Sequence, residues 1–80
     1  MSDENMFNTL KETSKKIADL KGFNVPVILK AIEDYENAGV DKYFIDQQKL
    51  QLQKVYARIE ELEAKAEKLI KHIEQPPHSY

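Results

Sequence analysis

Few side chains in this sequence are of the kind that perform covalent chemistry, and their spacing does not suit it. The serines are Ser2, Ser14 and Ser79, which lie near the two ends or on a helical stretch. A serine nucleophile needs a base beside it, and phosphate chemistry usually needs a glycine-rich loop. The chain has 2 glycines, which are far apart. The sequence therefore predicts a protein that is not an enzyme.

Metal-ligating residues are equally sparse. His72 and His78 are separated by the pair Pro76–Pro77, which is not a ligand spacing used by metal sites. The chain has 0 cysteines, so it forms neither a disulfide nor a cysteine-ligated zinc site. The acidic run from Glu33 to Asp41 lacks the alternating oxygen ligands of a calcium loop. We expect no metal and no cofactor.

Aromatic and charged side chains do suggest a binding surface around the middle of the chain. Tyrosines suit protein recognition, and a flat ring can also stack on a nucleotide base. A solvated acidic face and ordinary helical packing of the aromatics explain the same residues, and both interpretations stay open. The candidate partner or ligand surface comprises Tyr35, Glu33, Glu36, Lys42, Tyr43 and Tyr56.

Three helical segments must position these residues. Two glycines mark the expected helix ends, Gly22 in a left-handed conformation after the first helix and Gly39 after the second. Asn24 is expected to cap the second helix and Asp41 the third. In the first helix, Thr13 and Ser14 interrupt the apolar face. The predicted helices span residues 3–21, 25–38 and 41–75 of a single domain, 1–75, followed by a proline-rich tail, 76–80.

The third helix carries the clearest pattern, an apolar seven-residue repeat over four heptads. A short turn at Gly39 should fold the second helix back on the third as an antiparallel hairpin. The second helix is too short to cover the stripe from Ile59 to Ile73. The first helix could cover it, but its apolar face is interrupted, so a second copy of the chain is expected to bury it. The predicted oligomer interface comprises Ile45, Leu52, Val55, Ile59, Leu62, Leu69 and Ile73.

Composition narrows the class of partner. The chain has 80 residues, 41% of them hydrophobic and 32% charged, and a net charge of −2. No stretch approaches the roughly 18 apolar residues of a membrane span. We therefore expect neither a membrane-bound nor a secreted protein, and we expect a cytoplasmic location. Arg58 is the only arginine. Nucleic acid is therefore a disfavoured partner, because phosphate and base recognition favours arginine and a positive net charge.

The sequence thus predicts an all-α protein, a helical hairpin with a short N-terminal helix and a long heptad-patterned helix, assembled into an oligomeric bundle. Its expected function is non-enzymatic protein binding, as an adaptor, a small chaperone or an inhibitor of a host factor of the kind that phages encode. The expected partners are a second copy of itself and another protein. Two alternatives stay open: an oligomer that sequesters a nucleotide or another small anion, and a DNA-associated regulator.

Overall fold

The computed structural model describes residues 3–74 and is helical through almost all of them. Helix α1 spans Asp3–Asp19, a π-helical turn spans Leu20–Asn24, α2 spans Val25–Ala38 and α3 spans Lys42–Glu74. The all-α prediction is confirmed for these residues. The predicted tail, 76–80, lies outside the described residues.

The predicted helix break at Gly22 is wrong. Asp19, Asn24 and Val25 all have right-handed helical backbone angles, and Asn24 makes no capping hydrogen bond through its side chain. The backbone N–H of Val25 donates to the carbonyl of Leu20, five residues back. A π turn absorbs one extra residue without ending a helix. It lies just before Pro26, whose ring would clash with a carbonyl four residues back in a regular helix. Helices α1 and α2 therefore form one continuous helical arm.

The extra residue keeps one apolar face pointing in a single direction along this arm. Buried and half-buried side chains recur at intervals of three and four residues, except between Leu20 and Val25, where the interval is five. An interval of five is one π turn, so the face stays in register across the junction. The residues of this face are Leu10, Thr13, Ile17, Leu20, Val25, Ile28 and Ile32.

The chain reverses direction at Gly39, as predicted. Gly39 has φ +70°, and it is the one residue of the described range with a left-handed backbone. The N–H of Gly39 donates to the carbonyl of Glu36 at 3.2 Å, and that of Val40 donates to Tyr35 at 3.0 Å. These two bonds form a Schellman motif, which satisfies the last carbonyls of α2. The predicted cap of α3 is also confirmed, because the Asp41 carboxylate accepts a hydrogen bond from the N–H of Tyr43 at 3.1 Å.

Both halves of the helical arm pack against α3. The centre of the core is formed where α2 meets α3, by Val25, Ile28, Ile32, Val55 and Ile59, with Leu20, Ile45 and Leu52 packed against it. Further along α3, Leu62 and Ala66 are also buried. Helix α1, whose apolar face the sequence presents as interrupted, therefore continues the arm past Ile59 and packs against this part of α3.

Thr13 does not interrupt the apolar face of α1. It is the most buried polar residue of the described chain, with 2% of its surface exposed. Its hydroxyl donates to the carbonyl of Thr9 at 2.7 Å. Because this bond to the preceding turn satisfies the hydroxyl, only the methyl group needs an apolar environment. A threonine can therefore occupy a core position that composition alone assigns to the surface.

The two glycines should respond oppositely to the same substitution. Gly39→Ala should lower the free energy of unfolding by about 1 kcal/mol, because a Cβ is unfavourable in the left-handed region. Gly22→Ala should raise it by about 0.5–1 kcal/mol, because alanine is the better helix former and nothing lies within 4 Å of the added Cβ. Urea titrations followed by circular dichroism measure both. Shifts of the same sign would contradict the continuous arm.

Candidate functional site

The structure divides the predicted binding surface between two places. Tyr35, Glu36, Lys42 and Tyr43 flank the turn at Gly39. Tyr56 follows Tyr43 by 13 residues of continuous helix, which is a rise of about 20 Å. The turn and the middle of the hairpin must therefore be considered as separate candidate sites.

At the turn, Lys42 forms an ion pair with Asp46 on its own helix. Its ammonium lies 2.8 Å from the carboxylate of Asp46. The hydrogen bond and the charge of Asp46 raise the pKa of Lys42 above its ordinary value of 10.5. Lys42 is thus a positive charge at neutral pH whose carboxylate partner reduces its attraction for a second anion.

The acidic residues of α2 are paired in the same way. Lys30 lies 2.9 Å from Asp34 and 3.7 Å from Glu33, and these carboxylates raise the pKa of Lys30 above 10.5. Glu36 lies 3.8 Å from Lys49 of α3, so this ion pair connects the helical arm to α3. The run therefore consists largely of exposed ion pairs, which is the solvated-face interpretation of the sequence.

The aromatic residues at the turn remain accessible. The rings of Tyr43 and Phe44 meet edge to face, with centroids 5.3 Å apart and an interplanar angle of 83°. More than half of each residue is exposed, whereas Tyr35 is half-buried. This pair is an apolar patch beside the turn, and it includes Phe44, which the predicted surface omitted.

Tyr56 lines a groove of about 420 Å³ between the helical arm and α3. The other residues that line it are Lys21, Val25, Ile59, Glu60 and Glu63. The Lys21 ammonium lies 2.5 Å from the Glu63 carboxylate across the groove. The lining therefore carries two carboxylates against one ammonium that is already paired. This balance does not favour an anionic ligand such as a nucleotide.

A second groove, of about 280 Å³, lies between the same helices, and its lining has more basic than acidic residues. It is lined by Lys16, Asp19, Leu20, Arg58 and Leu62. One of its two basic residues is paired, since Arg58 contacts Glu61 at 3.2 Å. No cluster of residues suited to hold a metal ion occurs within the described chain.

Four of the seven predicted oligomer-interface residues belong to the core between the helical arm and α3 or pack against it: Ile45, Leu52, Val55 and Ile59. Val55, Ile59 and Leu62 are buried. Ile45, Leu52, Leu69 and Ile73 are half-buried. Association through these positions stays a prediction, but one chain already supplies cover for the most apolar part of the stripe.

Nine large hydrophobic side chains of the described residues are exposed, and the predicted binding surface included Tyr43 and Tyr56 but not the other seven. A continuous helical arm, had it been predicted, would have placed them off the packed face. They are Phe7, Phe23, Val27, Leu29, Tyr43, Phe44, Leu50, Tyr56 and Ile70, each more than two-fifths exposed.

The Lys21–Glu63 ion pair offers a test of how α3 lies against the arm. Both side chains are about half exposed, so the pair should contribute about 0.2–1 kcal/mol. A double-mutant cycle with Lys21→Met and Glu63→Gln, measured by urea unfolding at low salt, should give that coupling energy. The matched cycle with Glu60→Gln, in the same groove, should give a smaller one. Equal coupling in the two cycles would contradict the observed register.

Within the described residues, no helix is both long enough and apolar enough to cross a membrane. Comparison of the chain with protein-family models, with curated proteins and with solved structures finds no match. The exposed surface of the hairpin is therefore the feature from which a function can be inferred.

Proposed function

We propose that this protein is a non-enzymatic protein-binding protein that acts as a self-associated helical bundle, in the manner of an adaptor, a small chaperone or an inhibitor. One observation carries the proposal. Seven hydrophobic residues are buried in the described chain, and nine large ones are left exposed. Exposed apolar side chains of this number favour an interaction site, because a contiguous patch of them is typical of a surface that binds another protein.

The shape of the chain supports the same conclusion. Its extents are 62 × 19 × 15 Å and its radius of gyration is 18.1 Å, whereas a compact domain of this length has about 12 Å. It exposes 6370 Å², against about 5000 Å² for a compact monomer of its mass. Two packed helices have no third element to cover their outer faces, and a bundle of several helices would supply one.

The charge distribution favours a protein partner over nucleic acid. The net charge is −2, and Lys42 at the turn and Lys21 in the larger groove are paired with carboxylates. Counterion release, which drives most nucleic-acid binding, needs cations that are free to contact phosphates. An apolar partner surface gains instead from burying half-exposed aromatic and aliphatic side chains, at about 1 kcal/mol each.

Sedimentation equilibrium over a concentration series, with circular dichroism on the same samples, tests the proposal. We expect the average mass to rise from one chain towards two or more in the micromolar range, with helicity unchanged or slightly increased. A protein that stays a fully helical monomer at high micromolar concentration would contradict self-association.

A further inference from the structure

We infer that the groove beside Tyr56 is a binding site for an arginine side chain that another protein presents. This inference rests on the proposed protein binding and names one contact that the partner makes. The groove has a volume of about 420 Å³ and lies between the helical arm and α3. Lys21 belongs to the π turn and Val25 follows that turn directly, so the π turn positions one wall of the site.

The base of the groove is apolar. Val25 and Ile59 are the most buried residues of its lining, with 9% and 5% of their surfaces exposed. Tyr56 also lines the groove and keeps 45% of its surface exposed. A long basic side chain packs its methylene stem on surfaces of this kind while its charged end stays in contact with water. The groove therefore suits a side chain that is apolar along its length and charged at its end.

The charged residues of the lining favour a cation. They are two carboxylates, Glu60 and Glu63, and one ammonium, Lys21. Lys21 contacts only the Oε2 atom of Glu63, and a carboxylate accepts hydrogen bonds at both of its oxygens. Glu60 forms no ion pair with any residue of the described chain. A bound cation could therefore contact Glu60 without breaking an existing ion pair.

Arginine fits this arrangement better than lysine does. Its planar guanidinium holds several N–H donors in a fixed fork, whereas the ammonium of lysine is a compact and strongly hydrated charge. The guanidinium also stacks on aromatic rings. Tyr56, Glu60 and Glu63 follow one another at intervals of four and three residues on α3, so they are neighbours on one helical face. One guanidinium can therefore contact the ring and a carboxylate together.

The second groove of the hairpin has the opposite preference. Its lining contains two basic residues and one carboxylate, and none of the lining residues is aromatic. A cation is repelled by such a lining, and its stem finds no ring to stack on. Binding of an arginine side chain should therefore be confined to the groove beside Tyr56. The second groove is lined by Lys16, Asp19, Leu20, Arg58 and Leu62.

The arginine is assigned to another protein because this chain has little to offer. Arg58 is its only arginine. That residue already contacts Glu61 at 3.2 Å and lines the second groove. A second copy could supply Arg58 only by giving up this ion pair, whereas a different protein bears no such cost.

A short peptide tests the site in the full-length chain. The probe is acetyl-Leu-Arg-Leu-amide, and its control is the same peptide with citrulline, which is neutral but close in shape, in place of arginine. Methyl-detected nuclear magnetic resonance at low salt should show shifts of the Val25 and Ile59 signals. The arginine peptide should bind at least about threefold more tightly than the citrulline peptide, because an exposed contact between opposite charges has this magnitude. The Leu20 and Leu62 signals should shift much less.

Two variants and their matched controls assign the contacts. Glu60→Gln should weaken binding of the arginine peptide about threefold while leaving the citrulline peptide unaffected. Tyr56→Leu should weaken it about two- to fivefold through loss of the cation–π contact. Glu12→Gln and Tyr43→Leu make the same changes at exposed positions outside the groove, and they should leave the affinity unchanged. Circular dichroism should show the same helicity in all four variants, because each altered residue is exposed.

The outcomes separate this inference from the proposed self-association. If the two peptides bind equally well, or if the arginine peptide shifts only Leu20 and Leu62, the arginine site is wrong while self-association stands on its own test. If Glu60→Gln weakens self-association about threefold or more in sedimentation equilibrium, a second copy occupies the groove and the assignment to another protein is wrong. If the peptide binds as expected to a chain that stays monomeric, self-association fails and the arginine site stands.

Discussion

The hydrogen bond from the N–H of Val25 to the carbonyl of Leu20 is the interaction on which the rest of the structure depends. It closes a π turn that absorbs one residue, so that the apolar face of α1 and that of α2 point the same way. A regular helix through the same residues would turn α1 by about 100°. Thr13 and Ile17 would then leave the core, and α3 would lose its cover beyond Ile59.

The same π turn shapes the surface. It places Phe7 and Leu29 on one face, with the Lys21–Glu63 ion pair between them. A hairpin of two helices can bury only one stripe of side chains from each helix. Because the π turn determines which stripe of the arm is buried, it also determines which side chains remain exposed. The packing within the chain and the set of side chains left exposed are in this way consequences of one local feature. The function proposed for the protein follows from the surface that remains.

Much of this fold could be predicted from residues with strong local preferences. Gly39 and Asp41 define the turn because a left-handed glycine and a capping carboxylate satisfy the ends of two helices. The arm was harder to predict. Gly22 resembles a helix end, and the stripe appears broken at Thr13, because a π turn and a bond to the preceding turn have no distinctive composition. The interval of five from Leu20 to Val25 is the signal that identifies the π turn. The candidate surface was incomplete for the same reason, because Lys21, Leu29 and Ile70 can be assigned to a face of the hairpin only when the packing of α1 on α3 is known.

Distances between spin labels in one chain test most directly whether α1 covers the second half of α3. The chain has 0 cysteines, so paired cysteines at Lys15 and Lys68 label it uniquely, and dilution with unlabelled protein isolates the distance within a chain. Lys30 and Lys54 form a matched pair across α2 and α3, placed relative to the Glu36–Lys49 ion pair as the first pair is to Lys21–Glu63. The account predicts narrow distance distributions with similar maxima for both pairs. A narrow distribution for Lys30 and Lys54 with a broad, longer one for Lys15 and Lys68 would contradict it.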